Sequence, residues 1–360
     1  MLSPRFFGLA APLFASIVAC ASARSGSTPG AQASGVLPSS AYQISEANVR
    51  RVLSTLAADS MEGRYTGSAG ALKAARFIAR EMTSIGLSPA GDSGYYQKVA
   101  YESKQDSRTQ PDLKVLGSLE AVAALPAGAR VIGYNLIGVM RGSDPVLRDQ
   151  IVVIAAHYDH LGIGKAANGD SIYNGADDDA SGVTAVLEIA RSLASNPPKR
   201  TVVFMTTNGE EQGILGTRWY VAHPKFPLAR MVAEMEVEMI GRPDSLAGGP
   251  GKAWLTGYDR STMGDMLRAA NVPIVADPYP QMHFFERSDN IVFAMMGIPA
   301  HTLSSYNLHS DYHAVTDDVD KIDFAHVTAV IRAGAAATRI LADGPAPVWK
   351  EGGRPAPRSR

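Results

Sequence analysis

The chain has 360 residues, 46% of them hydrophobic, with 34 Lys and Arg against 35 Asp and Glu. That length carries one large domain or two ordinary ones, and a net charge of −1 argues against a basic nucleic-acid surface or an acidic tail. The single cysteine, Cys20, excludes an intramolecular disulfide and any finger built on Cys spacing.

The first 20 residues, MLSPRFFGLAAPLFASIVAC, run from one Arg through an apolar stretch to small residues. This reads as a targeting segment, too short for a comfortable membrane span. Cys20 closes IVAC, which resembles a bacterial lipobox, where the cysteine becomes the acylated first residue of the mature protein. Ordinary cleavage at ASA, residues 21–23, is the alternative. Residues 1–20 are thus expected to be a lipoprotein-type signal peptide. The protein is then exported, to the periplasmic side of a bacterial membrane or beyond, and touches the membrane only through its N-terminal lipid. Residues 21–43, rich in Ser, Gly, Ala and Pro, are expected to be a flexible tether, and residues 345–360 a disordered tail.

Between them, residues 44–344 alternate helices and strands. SEANVRRVLSTLA opens on the cap Ser45 and has helical spacing, and GALKAARFIAREMTSIGL is a longer helix stopped at Gly86. Residues 103–130 are too weakly patterned to place. RVIGYNLIGVMRG reads as a strand, and the apolar runs in DQIVVIAAHYDH and KRTVVFMTTNGEE read as strands buried on both faces. GILGTRWYVAH and RSTMGDMLRAANV are helical, MVAEMEVEMIG and GIPAHTLSS are strands, and DFAHVTAVIRAGAAATRILA is a closing helix. This order predicts a three-layer α/β sandwich around a mostly parallel or mixed sheet.

Polar residues collect where these elements end. His157 and Asp159 close one apolar strand; two apart, they share a face, so the ring could bind a metal while Asp159 orients it. Asp177, Asp178 and Asp179 precede an apolar helix. One aspartate would cap it, whereas three repel one another unless a cation sits among them, and both readings stay open. Glu210 and Glu211 follow a second apolar strand, where open α/β sheets place their active sites, and Glu238 closes the next strand, which alternates apolar and acidic residues. His313 stands before the last helix. Imidazole with carboxylate is an ordinary zinc ligand set, and adjacent glutamates can divide metal binding from proton transfer. His160, His283, His301 and His309 read as ordinary polar or loop histidines. GGPGKA lacks the upstream Gly and following Ser or Thr of a P-loop, and no GxSxG elbow supports a serine hydrolase.

The ordered set EGRYTGSAG, NLIGVMRGSDP, HYDHLG, GADDDASG, NGEEQGILGT, EMIGR, ERSDNIVFAMMGIPA and YHAVTDDVDKID resembles the M28 family of zinc metallopeptidases, which includes bacterial aminopeptidases. The resemblance runs from about Ser45 to Ala342 and implies a zinc-dependent exopeptidase fold over residues 44–344. It also implies two Zn2+ per chain. Asp178 would bridge them, with His157 and Glu238 on one ion and Glu211 and His313 on the other. Glu210 would be the general base and Asp159 the orienter of His157. Arg287 and Tyr312 match positions that contact the substrate carbonyl or the tetrahedral intermediate in some members. Two positions depart from the family pattern: Glu238 stands where Asp is frequent, and Asn290 where His is frequent. The expected activity is removal of N-terminal residues from peptides. A single-zinc glutaminyl cyclase, a carboxypeptidase or dipeptidase, and a non-catalytic binding module on the same scaffold are the alternatives.

Overall fold

Strands Ile151–His157 and Thr201–Thr207 have no exposed residue, because both faces of the sheet they belong to are covered. The computed structural model describes residues 43–104 and 110–356. In chain order its strands are β1 (Ser88–Pro89), β2 (Tyr96–Lys104), β3 (Asp112–Val115), β4 (Arg130–Met140), β5 (Ile151–His157), β6 (Gly162–Ala167), β7 (Asp170–Tyr173), β8 (Thr201–Thr207), β9 (Met231–Val237), β10 (Ala253–Leu255), β11 (Ile274–Ala276) and β12 (Ala300–Ser304). Its helices are α1 (Glu46–Leu56), α2 (Ala69–Ile85), α3 (Glu120–Ala123), α4 (Gly182–Leu193), α5 (Leu215–Ala222), α6 (Thr262–Ala269), α7 (Asn290–Met295) and α8 (Phe324–Asp343). The leader, Cys20 and nearly all of the expected tether lie outside the described residues.

The main sheet has the order β11-β10-β12-β9-β5-β8-β4-β2-β3, with β1 on β4; β6 and β7 form a separate hairpin. Its centre, β12-β9-β5-β8, is parallel. The neighbours β4 and β10 join that centre antiparallel. Alternate residues of β5 enter two cores. Val152, Ile154 and Ala156 pack with α1, α2, α4 and α8, whereas Ile151, Val153 and Ala155 pack with Tyr220 of α5 and Ile291–Ala294 of α7. The molecule is therefore the three-layer sandwich expected from the sequence.

Local signals explain the ends of elements. Ser45 Oγ accepts the Asn48 N–H at 3.3 Å, and Asp323 Oδ1 accepts the His326 N–H at 3.0 Å. Gly86 ends α2 at φ +86°, a left-handed cap that glycine adopts without strain. The weakly patterned stretch from 103 to 130 holds β3 at the sheet's edge, half-exposed along its length, and the one-turn α3. The three-residue β10 and β11 are too short to show alternation.

The expected disordered tail is corrected up to residue 356. Val348 and Thr262 exchange hydrogen bonds, with Thr262 N to Val348 O at 2.9 Å and Val348 N to Thr262 Oγ1 at 3.0 Å. Lys350 N donates to Arg260 O at 2.9 Å, and the Trp349 indole donates to Gly297 O at 2.9 Å. Gly353 is required there, since a Cβ would lie 1.9 Å from Arg260 O. Its Gly- and Pro-rich composition resembles disorder, but backbone pairing and one indole anchor hold the segment.

Trp349 also packs on His301, which is fully buried in β12 between Thr256 O at 2.8 Å and Ser261 Oγ at 2.7 Å. Burial pushes the His301 imidazole down to about 4, and the nearby Arg260 charge adds to this. The unfolded chain, with an ordinary histidine near pKa ~6.5, therefore binds more protons than the fold between about pH 6.5 and 4. Stability falls as pH drops through that window, by roughly 3 kcal/mol from this group. Urea unfolding of metal-free protein at pH 7 and pH 4 should show this loss reduced in His301→Gln. Equal losses in variant and wild type would rule it out.

Candidate active site

Three parallel strands end at one edge of the sheet and deliver their terminal residues together. β5 ends at His157, β8 leads through Asn208 and Gly209 to Glu210 and Glu211, and β9 leads to Glu238. Asp178 comes from the wide turn Ala176–Ser181 ahead of α4, and His313 from the loop ahead of α8. A cavity of about 530 Å³ is lined by Asp178, Glu210, Glu211, Glu238, Arg287, Tyr312 and His313, with Trp254, Phe284 and Tyr306 on its wall. His157 and Asp159 are buried behind it. All nine residues singled out by sequence thus meet at one site.

Asp178 divides the site in two. Its Oδ1 lies 3.2 Å from His157 Nε2, and its Oδ2 lies 3.3 Å from His313 Nε2. Glu238 Oε1 is 4.0 Å from His157 Nε2, and Glu211 Oε2 is 3.1 Å from His313 Nε2. Around a tetrahedral cation with bonds of about 2.0–2.2 Å, neighbouring ligand atoms lie roughly 3.3–3.6 Å apart, close to three of these four separations.

The chemistry of the donors also fits a cation. His157 Nδ1 lies 3.2 Å from the carbonyl oxygen of Asp159, which can only accept, so Nδ1 carries the proton and Nε2 presents a lone pair. That lone pair faces carboxylate oxygens, and among the described residues buried Nε2 has no aligned hydrogen-bond partner. Acceptors facing acceptors in a buried site require a proton or a metal between them. Without metal, burial opposes charge on Asp178, yet contacts with His157 and His313 hold its carboxyl well below the ordinary range. Burial likewise lowers His313, but Asp178 and Glu211 overcome it and raise the ring to about 10.

Glu210 differs from its neighbour. Burial pushes its carboxyl well above the usual range; His157 opposes this, and Glu238, Glu211 and Asp289 add to it. Such a carboxyl readily takes up a proton.

Asp159 departs from expectation. Its carboxylate is 3.9 Å from His157 Nδ1 and accepts instead the backbone N–H groups of Glu210, at 3.2 Å, and Glu211, at 3.4 Å. The ring is oriented by the Asp159 carbonyl, while the side chain holds the turn that carries both glutamates. The strand ends at His157, so the two-residue alternation no longer governs Asp159.

The outer aspartates make local hydrogen bonds. Asp179 Oδ1 accepts from Gly182 N at 2.9 Å and Met239 N at 3.1 Å, and Asp177 Oδ1 accepts from Gly241 N at 2.6 Å. They tie the Asp178 turn to the loop after β9. Tyr312 stacks on His313 at 3.8 Å, and Arg287 lies 5.1 Å from the Phe284 ring centre. Asn290 sits beneath the cavity wall, donating to Phe285 O at 3.1 Å and accepting from Thr302 Oγ1 at 3.0 Å.

Four further residues contribute that sequence reasoning missed. Arg64 is fully buried and donates to the carbonyls of Tyr158 at 2.7 Å, Leu56 at 2.7 Å, Asn174 at 2.6 Å and Gly175 at 2.9 Å, clamping the His157 and Asp178 loops together. Asp317 accepts the N–H groups of Asp177 and Asp178, each at 3.0 Å. His309 Nε2 lies 2.9 Å from Asp177 Oδ2, and His160 Nδ1 lies 2.8 Å from Glu211 Oε1. Arg64 stands inside EGRYTGSAG and His160 inside HYDHLG, so the motifs marked them without indicating their partners.

A protein from Pyrenophora teres described as "Probable zinc metalloprotease" is 28% identical over 56% of this chain and 42% of its own length. "Aminopeptidase YwaD" from Bacillus subtilis is 31% identical over 34% of this chain and 25% of its own length. The chain thus spans less than half the length of these curated relatives. Among solved structures, a zinc aminopeptidase from Bacillus subtilis superposes with a TM-score of 0.62 at 16% identity, covering 84% of this chain and 96% of that one. The aminopeptidase from Aneurinibacillus sp. strain AM-1 gives 0.59 at 18% identity, covering 84% and 95%. At such identities the likeness establishes the fold. The model of Peptidase family M28 matches residues 135–338, which include eight of the nine converging residues before His313 and that histidine itself. With more than half of its length so matched, the chain belongs to peptidase family M28.

Proposed function

We propose that the protein is an exported aminopeptidase that binds two zinc ions and removes N-terminal residues from peptides. The observation that carries this reading is the division of Asp178, with Oδ1 toward His157 and Oδ2 toward His313. His157, Asp178 and Glu238 would hold one ion, and Asp178, Glu211 and His313 the other. Zinc supplies Lewis acidity toward a carbonyl and brings the pKa of a water near neutrality.

The chain's own residues then handle the protons. Glu210 takes one from the attacking water and returns it to the departing amine. Its upward-shifted carboxyl and its place on the cavity wall suit both steps. Tyr312, which lines the cavity and whose hydroxyl is kept protonated by burial and by the surrounding carboxylates, would donate to the carbonyl oxygen as it gains charge. Arg287, on the same wall, would contact the substrate. Peptide is the partner, residues 44–344 the peptidase domain, and Cys20 the lipid-anchored first residue of the mature chain. No helix among the described residues is long and apolar enough to cross a membrane.

One experiment tests activity and address together. Full-length protein is expressed in a bacterium, and its fractions digest a peptide library read by mass spectrometry. Products shorter by one N-terminal residue should form in the membrane fraction, and Cys20→Ser should shift that activity to the soluble fraction. Products shortened at the C-terminus, or N-terminal cyclisation without cleavage, would contradict the activity. An unchanged distribution in Cys20→Ser would contradict the anchor.

A further inference from the structure

His160 is not the ordinary polar histidine that its sequence context indicates. It is fully buried, and its Nδ1 lies 2.8 Å from Glu211 Oε1. A carboxylate only accepts, so Nδ1 carries the proton. The other ring nitrogen, Nε2, has no hydrogen-bond partner among the described residues. The ring is also fixed from behind, because Gly175, at φ +57°, lies so close that a Cβ there would be 2.6 Å from His160 Cγ. Meanwhile the second oxygen of Glu211, Oε2, faces His313 Nε2 at 3.1 Å. The two oxygens of one carboxylate therefore meet two different histidines.

Both histidines are near enough to Asp178 and Glu211 to compete as metal ligands, and His160, Asp178 and Glu211 do form a compact donor group. Distances separate them. His313 Nε2 stands 3.1 and 3.3 Å from the two carboxylates, both close to the roughly 3.3–3.6 Å edge of a tetrahedral zinc site. His160 Nδ1 stands 2.8 Å from Glu211, a hydrogen-bond length, and 3.8 Å from Asp178 Oδ2.

We propose that His160 is a positioning residue for the second metal rather than one of its ligands. It donates Nδ1–H to Glu211 Oε1, holds that carboxylate in one rotamer and leaves Oε2 to meet the ion beside His313. This rests on the two-metal reading of the site. Outer partners of metal ligands act this way generally, and their loss costs about 10–100-fold in affinity.

The test is zinc titration of metal-free wild type, His160→Phe and His160→Asn, followed by calorimetry, with circular dichroism as a check on folding. Phenylalanine keeps a ring against Gly175 but removes the donor; asparagine is smaller but restores an N–H near the position of Nδ1. In His160→Phe, one of the two zinc affinities should fall about 10–100-fold and the other should hold. In His160→Asn, most of that loss should be recovered. Equal large losses in both variants would make His160 a ligand and overturn the proposal, as would wild-type affinities in His160→Phe. If His160→Phe does not fold, His160→Asn decides alone: affinities near wild type support positioning, and a loss of tenfold or more at one site overturns it. Wild type that takes up a single zinc would instead overturn the two-metal reading, and this proposal with it.

Discussion

Replacing Glu210 by Gln should lower kcat by ~10²–10⁴-fold, the usual contribution of a general base, while zinc content stays that of wild type. Glutamine keeps the size of the side chain and removes only its basic oxygen. Substrate contacts survive, so KM should change much less than kcat. The neighbouring Glu211→Gln should behave differently. Glu211 faces His313 through one oxygen and His160 through the other, so its amide would leave one of the two without an acceptor. That variant should lose metal first and activity in consequence. If Glu210→Gln loses zinc while Glu211→Gln retains it, the two roles are exchanged. If both variants turn over at the wild-type rate, the glutamates only line a polar strand end.

Asp178→Asn is expected to weaken both metal sites at once. The carboxylate is nearly fully buried and faces both His157 and His313. An amide offers one acceptor oxygen and an NH2 group that only donates, so one site loses its acceptor and both lose the shared negative charge. Removing one partner of a buried charged pair costs about 3–5 kcal/mol, which corresponds to roughly 10²–10⁴-fold in affinity. The rise in melting temperature that zinc gives the wild type should therefore nearly vanish in Asp178→Asn. His313→Ala should lose only the part contributed by one ion, because His157, Asp178 and Glu238 remain. A full zinc-induced rise in Asp178→Asn would remove Asp178 from the bridging role.

Much of this arrangement was legible because the residues concerned are out of place. A carboxylate or imidazole at or just after the end of a buried strand, as at His157, Glu210 and Glu238, is a weak signal alone and an informative one where three such ends occur together. Three consecutive aspartates are equally anomalous, since only one can cap a helix. The helices and buried strands followed from periodicity, because both sheet faces are covered and the helices around them are amphipathic. What stayed hidden depends on partners distant in sequence. Arg64 binds backbone carbonyls 94, 110 and 111 residues away, and a carbonyl carries no sequence signal. His160 meets a carboxylate 51 residues away. Asp159 lies in the neighbourhood that its sequence position predicts, but its carboxylate bonds to the turn at Glu210 and Glu211, because strand alternation stops at His157. The tail up to residue 356 is held by the Trp349 anchor, although its composition alone resembles disorder.

The most direct measurement is the zinc content of the purified wild-type protein after stripping, reloading and removal of free metal, read by elemental analysis. A carboxylate shared between two imidazole-bearing half-sites predicts two zinc ions per chain. A single tightly held ion, with no second uptake at any zinc concentration, would contradict that account.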